Sequence, residues 1–255
     1  MKDQKPTVLL FGGTRGIGGV IAEELRRKHF DVYTVARTLP VKLKEKHFSC
    51  DLLREDATKK MMIWIKKNNL RFDGLVFASR DRAKGSPIRL GRRQYRLEIE
   101  FPFDFLGKIS RSHKKVAAVF LASTASRIVS PEQGDLFHAV KGGLVQMAKS
   151  IGLRFAKNGG RVNLVSFGAI LKPESQRFYA KSKLGTLYKR LYPSGCMVDA
   201  KQVASVVSFL LSPDSEGINN QNLLIDYGLE SFGQEPLARR FSNLDNLNVK
   251  RNSRA

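Results

Sequence analysis

Residues Thr7 to Gly19 read TVLLFGGTRGIGG. The run Val8 to Phe11 is apolar and of buried-strand length. Glycines follow at 12, 13, 16, 18 and 19, and the chain continues VIAEELRRKHF, with Val20, Ile21, Leu25 and Phe30 at near-helical spacing. A strand, a glycine turn and a helix start are the context in which a Gly-rich motif has mechanical meaning. Gly12 permits the tight turn, the next glycines let backbone approach a phosphate, and Gly18 lets helix and strand pack closely. The helix N-terminus then offers free N–H groups and a partial positive charge to a pyrophosphate. Gly12, Thr14, Arg15, Gly16, Ile17 and Gly18 are therefore the candidate phosphate cradle.

Working outward, strand and helix patterns alternate. Asp31 to Ala36 (DVYTVA) reads as a second strand and His47 to Leu52 as a short third, ending in Asp51. A helix is expected over 54–68, a fourth strand at Leu75 to Ala78, and a helix running to about 111. Pro102 makes that helix irregular or kinked. Val116 to Ala122 is a fifth strand, 133–157 a long helix, Gly160 to Val165 a sixth strand, and Asp199 an N-cap for a helix ending near Leu211. Residues 221–228 read as the last strand. Alternation of this kind predicts an α/β, Rossmann-like, doubly wound parallel sheet in a single domain over 1–228. Residues 229–255 form a basic C-terminal tail, expected to be mobile or packed on a partner subunit.

Composition narrows the function classes. At 255 residues and 42% hydrophobic, the chain builds one sizeable core and is no disordered tail. Cys50 and Cys196 are its only cysteines, which excludes a disulfide framework and a cysteine metal cluster. This usage fits a reducing, cytoplasmic setting. No apolar run approaches membrane-span length, and a strand beginning at Thr7 leaves little room for a signal peptide. The excess of 45 Lys+Arg over 23 Asp+Glu, a net charge of +22, favours anionic partners, or is simply a solvated basic surface.

The second strand ends in Ala36-Arg37, with Lys42, Lys44 and Lys46 soon after. An NAD site places an acidic residue here for the ribose 2′-OH. Arginine suits a 2′-phosphate through charge and bidentate geometry, and Arg15 is close enough in the turn to share it. The expected cofactor is therefore NADP(H) over NAD(H). Arg37 is otherwise an ordinary loop arginine.

Phe11-Gly12-Gly13-Thr14-Arg15-Gly16-Ile17-Gly18 resembles the T-G-x-x-x-G-x-G turn of the short-chain dehydrogenase/reductase family, with Phe11 at the threonine. The resemblance extends to about residue 228. It implies that Asp51 contacts the adenine, that Ala78 lies beside the cofactor, and that 174–191 covers the substrate. It also implies a homodimer or homotetramer through helices 92–111 and 133–157. The family's Asn-Asn-Ala-Gly is Phe77-Ala78-Ser79-Arg80 here, and its Pro-Gly after the sixth strand is Phe167-Gly168. The positive cluster Arg80, Arg82, Lys84, Arg89, Arg92, Arg93 and Arg96 reads as capture of an anionic small-molecule substrate, or as a solvated loop.

The same resemblance places the catalytic hydroxyl at Ser123 or Thr124, and the family's Tyr-x-x-x-Lys at 137–141. Lys141 is in register, but Phe137 stands at the tyrosine position and has no proton to give. Its asparagine position falls on Glu100. His138 is the candidate substitute acid, although it lies about 100° around the helix axis. A second Tyr-x-x-x-Lys, Tyr179 to Lys183, follows the sixth strand and is not in the site's place. Three functions remain open at this point. The first is an NADP(H) oxidoreductase of carbonyl/hydroxyl substrates with an atypical site. The second is an inactive homologue serving as a regulatory or structural subunit, with an active relative as partner. The third is electrostatic nucleic-acid binding, for which no motif is visible.

Overall fold

A computed structural model describes residues 5–38, 46–81, 83–110 and 112–241. Lys42, Lys44, Arg82 and the tail after Phe241 lie outside them. The strands are β1 (Thr7–Phe11), β2 (Asp31–Ala36), β3 (His47–Ser49), β4 (Gly74–Phe77), β5 (Ala117–Leu121), β6 (Arg161–Ser166) and β7 (Asn222–Leu224). All pair in parallel, in the order β3-β2-β1-β4-β5-β6-β7. The helices are α1 (Gly16–Arg27), α2 (Ala57–Lys67), α3 (Pro87–Tyr95), α4 (Phe101–Ile109), α5 (Asp135–Ala156), α6 (Gln176–Lys181), α7 (Lys183–Leu191), α8 (Ala200–Leu211) and α9 (Gln234–Phe241). This is the expected doubly wound α/β sheet in one domain.

The central strands are continuous apolar runs because both faces of the sheet are covered. Side chains alternate between two cores. Leu9, Phe11, Leu75, Phe77 and Phe120 face the side of α2, α4 and α5. Val8, Leu10, Val76 and Val119 face the side of α1 and α8. Asp199 begins α8 as read: its carboxylate accepts from Lys201 N–H at 2.8 Å, and Gln202 Oε1 accepts from the Asp199 N–H at 2.8 Å.

As far as Phe241 the tail is packed. It folds as α9 onto its own chain, where Arg240 donates to the carbonyls of Tyr192 (2.9 Å) and Arg190 (3.3 Å). The irregular helix becomes two, α3 and α4, joined by a π turn over Arg96–Glu100. Pro102 has no N–H for the carbonyl four residues back, at Glu98. The preceding N–H, of Phe101, reaches five residues back to the Arg96 carbonyl instead.

Candidate functional site

The chain order reverses between β1 and β4, and in open α/β sheets this switch point opens a crevice beyond the strands' carboxyl ends. A cleft of about 1000 Å³ lies there. One end is the glycine turn. Gly12 has φ of 87°, and a Cβ on it would stand 2.7 Å from the Ser79 backbone. A Cβ on Gly18 would stand 2.1 Å from the Gly12 carbonyl oxygen, so strand and helix meet at a distance only glycine allows. α1 has no acidic residue in its first turn and no side-chain cap, which leaves its N-terminal dipole facing the cleft. Thr14, Arg15 and Ile17 line the cleft beside it. This cradle fits a nucleotide pyrophosphate.

Arg15, Arg37 and Arg80 line the same end and are exposed. Among the described residues none of the three makes a hydrogen bond or ion pair. Two neighbouring arginines, Arg93 and Arg96, are committed. Arg93 holds Asp81 in a bidentate pair (2.6 and 3.2 Å), which keeps that carboxyl below its usual range. Arg96 donates to Glu100 at 2.9 Å and to the Arg54 carbonyl at 3.1 Å. Lys84, Arg89 and Arg92 of the cluster are exposed, and Arg80 joins the two arginines named from sequence. Asp51 and Ala78 also line the cleft, and Asp51 accepts the Leu53 N–H of its own turn at 3.1 Å.

The other end is chemical. Ser123 and Thr124 leave β5 into the cleft. Ser123 Oγ accepts the Ala125 N–H at 3.2 Å, and this leaves its own proton free to donate. Phe137 and Lys141 stand one turn apart on α5, with the ammonium 5.7 Å from the ring centre. Lys141 Nζ donates to Glu98 Oε2 at 2.6 Å, and both side chains are buried. Gln94 Nε2 donates to the second carboxylate oxygen at 3.2 Å. The π turn thus presents Glu98 to the lysine. The expectation for Glu100 is corrected: that residue pairs with Arg96. Sequence reasoning missed Glu98, and Pro102 was the available signal, because the proline shifts the helix phase.

His138 does not line the cleft. Its ring sits between the Ala125 carbonyl (Nδ1, 3.0 Å) and the Ser130 carbonyl (Nε2, 3.1 Å), where it braces the loop after β5. One position along α5 is enough to turn it away. Tyr179 lines the cleft together with Tyr188, whose phenol burial pushes up. Tyr179 and Lys183 fall on different helices, α6 and α7, with Ser182 between them in extended conformation, so they share no helical turn.

Beneath the cleft floor lies an aromatic stack. Phe11, Phe77 and Phe120 stand in register on β1, β4 and β5, with ring centres 4.8 and 4.5 Å apart and planes nearly parallel. Phe101 and Phe105 of α4 meet Phe11 edge-on. Two positions that depart from the family pattern, 11 and 77, therefore form one apolar contact. Among the described residues no cluster of side chains could hold a metal ion.

Fold and cleft together define a nucleotide-binding oxidoreductase frame. A family model described as enoyl-(acyl carrier protein) reductase matches residues 12–230. The chain belongs to the short-chain dehydrogenase/reductase family, whose members bind nicotinamide cofactors. Among similar proteins, a tropinone reductase homolog of Arabidopsis thaliana is 26% identical over 251 residues, 90% of this chain and 94% of that protein. Senescence-associated protein 13 of Arabidopsis thaliana is 26% identical over 249 residues, 87% of this chain and 89% of that one. A 4-hydroxyisoleucine dehydrogenase complexed with NADH has the same fold, with a TM-score of 0.79 at 19% identity over 90% of this chain and 100% of its own. A tyrosine-to-phenylalanine variant of ElxO with NADPH bound superposes with a TM-score of 0.77 at 21% identity over the same shares.

Proposed function

We propose that this chain is an NADP(H)-dependent oxidoreductase acting between carbonyl and hydroxyl groups, with Phe137 where the family's tyrosine acts. The observation that carries it is the set of three arginines, Arg15, Arg37 and Arg80, without a hydrogen bond or ion pair among the described residues, around an intact glycine cradle. A 2′-phosphate gives those guanidinium groups a direct hydrogen-bonding anion. Asp51 and Ala78 flank the adenosine half, and Lys141 holds the nicotinamide ribose.

Bound nicotinamide supplies the hydride for carbonyl reduction, or accepts it in the reverse direction. The hydroxyl of Ser123 or Thr124 donates a hydrogen bond to the substrate carbonyl oxygen, where negative charge develops. Phe137 offers no proton, and His138 is bound to the loop, so the proton reaches that oxygen from water. The Lys141 ammonium, anchored by Glu98, supports the developing charge from one side. The same reading has two copies pair through α4 and α5, where Phe103 and Leu153 are exposed. ElxO, with a tyrosine replaced by phenylalanine, has NADPH bound, which supports nucleotide binding without a phenol.

The test is Phe137→Tyr, assayed with NADPH across a panel of ketones and aldehydes. A phenol one turn ahead of Lys141 adds general acid catalysis, worth roughly two to four powers of ten in kcat. No turnover by either form refutes the oxidoreductase reading.

A further inference from the structure

α6 and α7 cover the cleft through Tyr179, Tyr188 and Leu191. Their outer surface has a different character. Phe178, Leu184 and Leu187 are large apolar side chains 57%, 45% and 46% exposed. Leu184 and Leu187 are three apart and share a face of α7. The side turned to α6 is fixed: a Cβ on Gly185 would strike the Tyr179 carbonyl oxygen at 1.8 Å, and Tyr188 meets the Tyr179 ring at 5.8 Å. Exposed Arg177, Lys181 and Lys183 flank these apolar side chains. No acidic residue occurs from Gln176 to Leu191. α9 extends the patch, with exposed Phe241 lying under the Arg190 guanidinium at 5.6 Å.

We propose that this outer face of α6 and α7 binds the surface of an anionic lipid bilayer. Cations flanking Phe and Leu on a short amphipathic pair match the two demands of an interface: attraction to anionic headgroups and shallow insertion of apolar side chains. A second copy of the chain does not fit, because the same cationic face would meet itself. Nucleic acid would use the cations and leave the leucines in water. The cleft mouth shares the character of the face. Ile128 and Val129 line it and are 48% and 80% exposed. Docking therefore sets the opening of the cleft against the bilayer. The surface is independent of which nicotinamide the cleft takes.

The test is co-sedimentation of the full chain with phosphatidylcholine vesicles and with mixed phosphatidylcholine–phosphatidylserine vesicles, at low and moderate salt. Three forms are compared with the parent chain. Phe178→Ser with Leu184→Ser and Leu187→Ser removes insertion. Arg177→Glu with Lys181→Glu and Lys183→Glu removes attraction. Lys59→Glu with Lys66→Glu and Lys67→Glu makes the same charge change on exposed positions of α2. The parent chain binds the mixed vesicles and leaves the neutral ones. Each lid variant weakens partition by about tenfold or more, and the α2 variant changes it little. Thermal unfolding confirms that the variants fold. Absence of binding to mixed vesicles overturns the proposal. So does equal loss in the α2 variant, which makes the effect one of net charge, or heparin retention that depends on the lid cations without vesicle binding.

Discussion

Replacing Glu98 by leucine strands a cation. The Lys141 and Glu98 side chains are 10% and 7% exposed, and their 2.6 Å contact is the lysine's only polar contact among the described residues. Two buried charges this close stabilise each other about as much as their desolvation costs, so the pair adds little net stability. Removing one partner leaves the whole desolvation cost of the other, about 3–5 kcal/mol. Against a total stability of about 5–15 kcal/mol this is a large fraction, and it lowers Tm by on the order of 10 °C. Glu98→Leu therefore unfolds much earlier than the parent chain. Lys141→Met is also destabilising, though less so, because Gln94 still donates to the abandoned carboxylate. The double variant Glu98→Leu with Lys141→Met recovers most of the loss and comes within about 1–2 kcal/mol of the parent chain. Denaturant unfolding of the four proteins completes the cycle. Single-variant losses that simply add in the double variant would refute the buried-pair reasoning.

The central ring of the aromatic stack and a stacked imidazole give two further tests. Phe77→Ala removes the ring between Phe11 and Phe120 and costs about 3–5 kcal/mol by urea unfolding; a loss below 1 kcal/mol would mean the stack carries no packing energy. Burial against Phe72, with ring centres 4.1 Å apart, holds His113 below its usual pKa. The folded chain therefore takes up its proton at lower pH than the unfolded one, and stability falls as pH drops below the ordinary histidine range of about 6.5 and levels out beneath the depressed value. His113→Phe flattens that part of the stability profile, and an unchanged slope between pH 7 and 5 contradicts the assignment.

The legible parts of the molecule are those whose cause is local. The apolar run Val8 to Phe11, the glycines after it and the helix that follows are neighbours in the chain, and each acts on the next. Phe137 and Lys141 share a helical turn, so their spacing carried over intact. Asp199 and Gln202 cap α8 within four residues. The illegible parts depend on meetings across long separations. Glu98 reaches Lys141 from a π turn that Pro102 favours and that shifts the helix phase, and the family's local pattern lands two residues late, on Glu100. Phe11, Phe77 and Phe120 are each unremarkable in a strand; only the strand order β1-β4-β5 makes them one stack. His138 was the nearest titratable group to the expected site in sequence, but 100° of helix rotation directs it into the loop. Arg80 stands at the family's glycine position, and only the fold brings it to the cleft beside Arg15 and Arg37.

The central claim is that Arg15, Arg37 and Arg80 await the 2′-phosphate of a nucleotide seated on the glycine turn. Titration of the purified chain with NADPH and with NADH, followed by fluorescence at moderate salt, tests it most directly. The account predicts micromolar binding of NADPH with a lead over NADH of roughly tenfold or more, the worth of one charge-assisted hydrogen bond of about 1.5–3 kcal/mol. Arg37→Asp should erase that lead. Equal affinity for both nucleotides, or binding of neither, would contradict it.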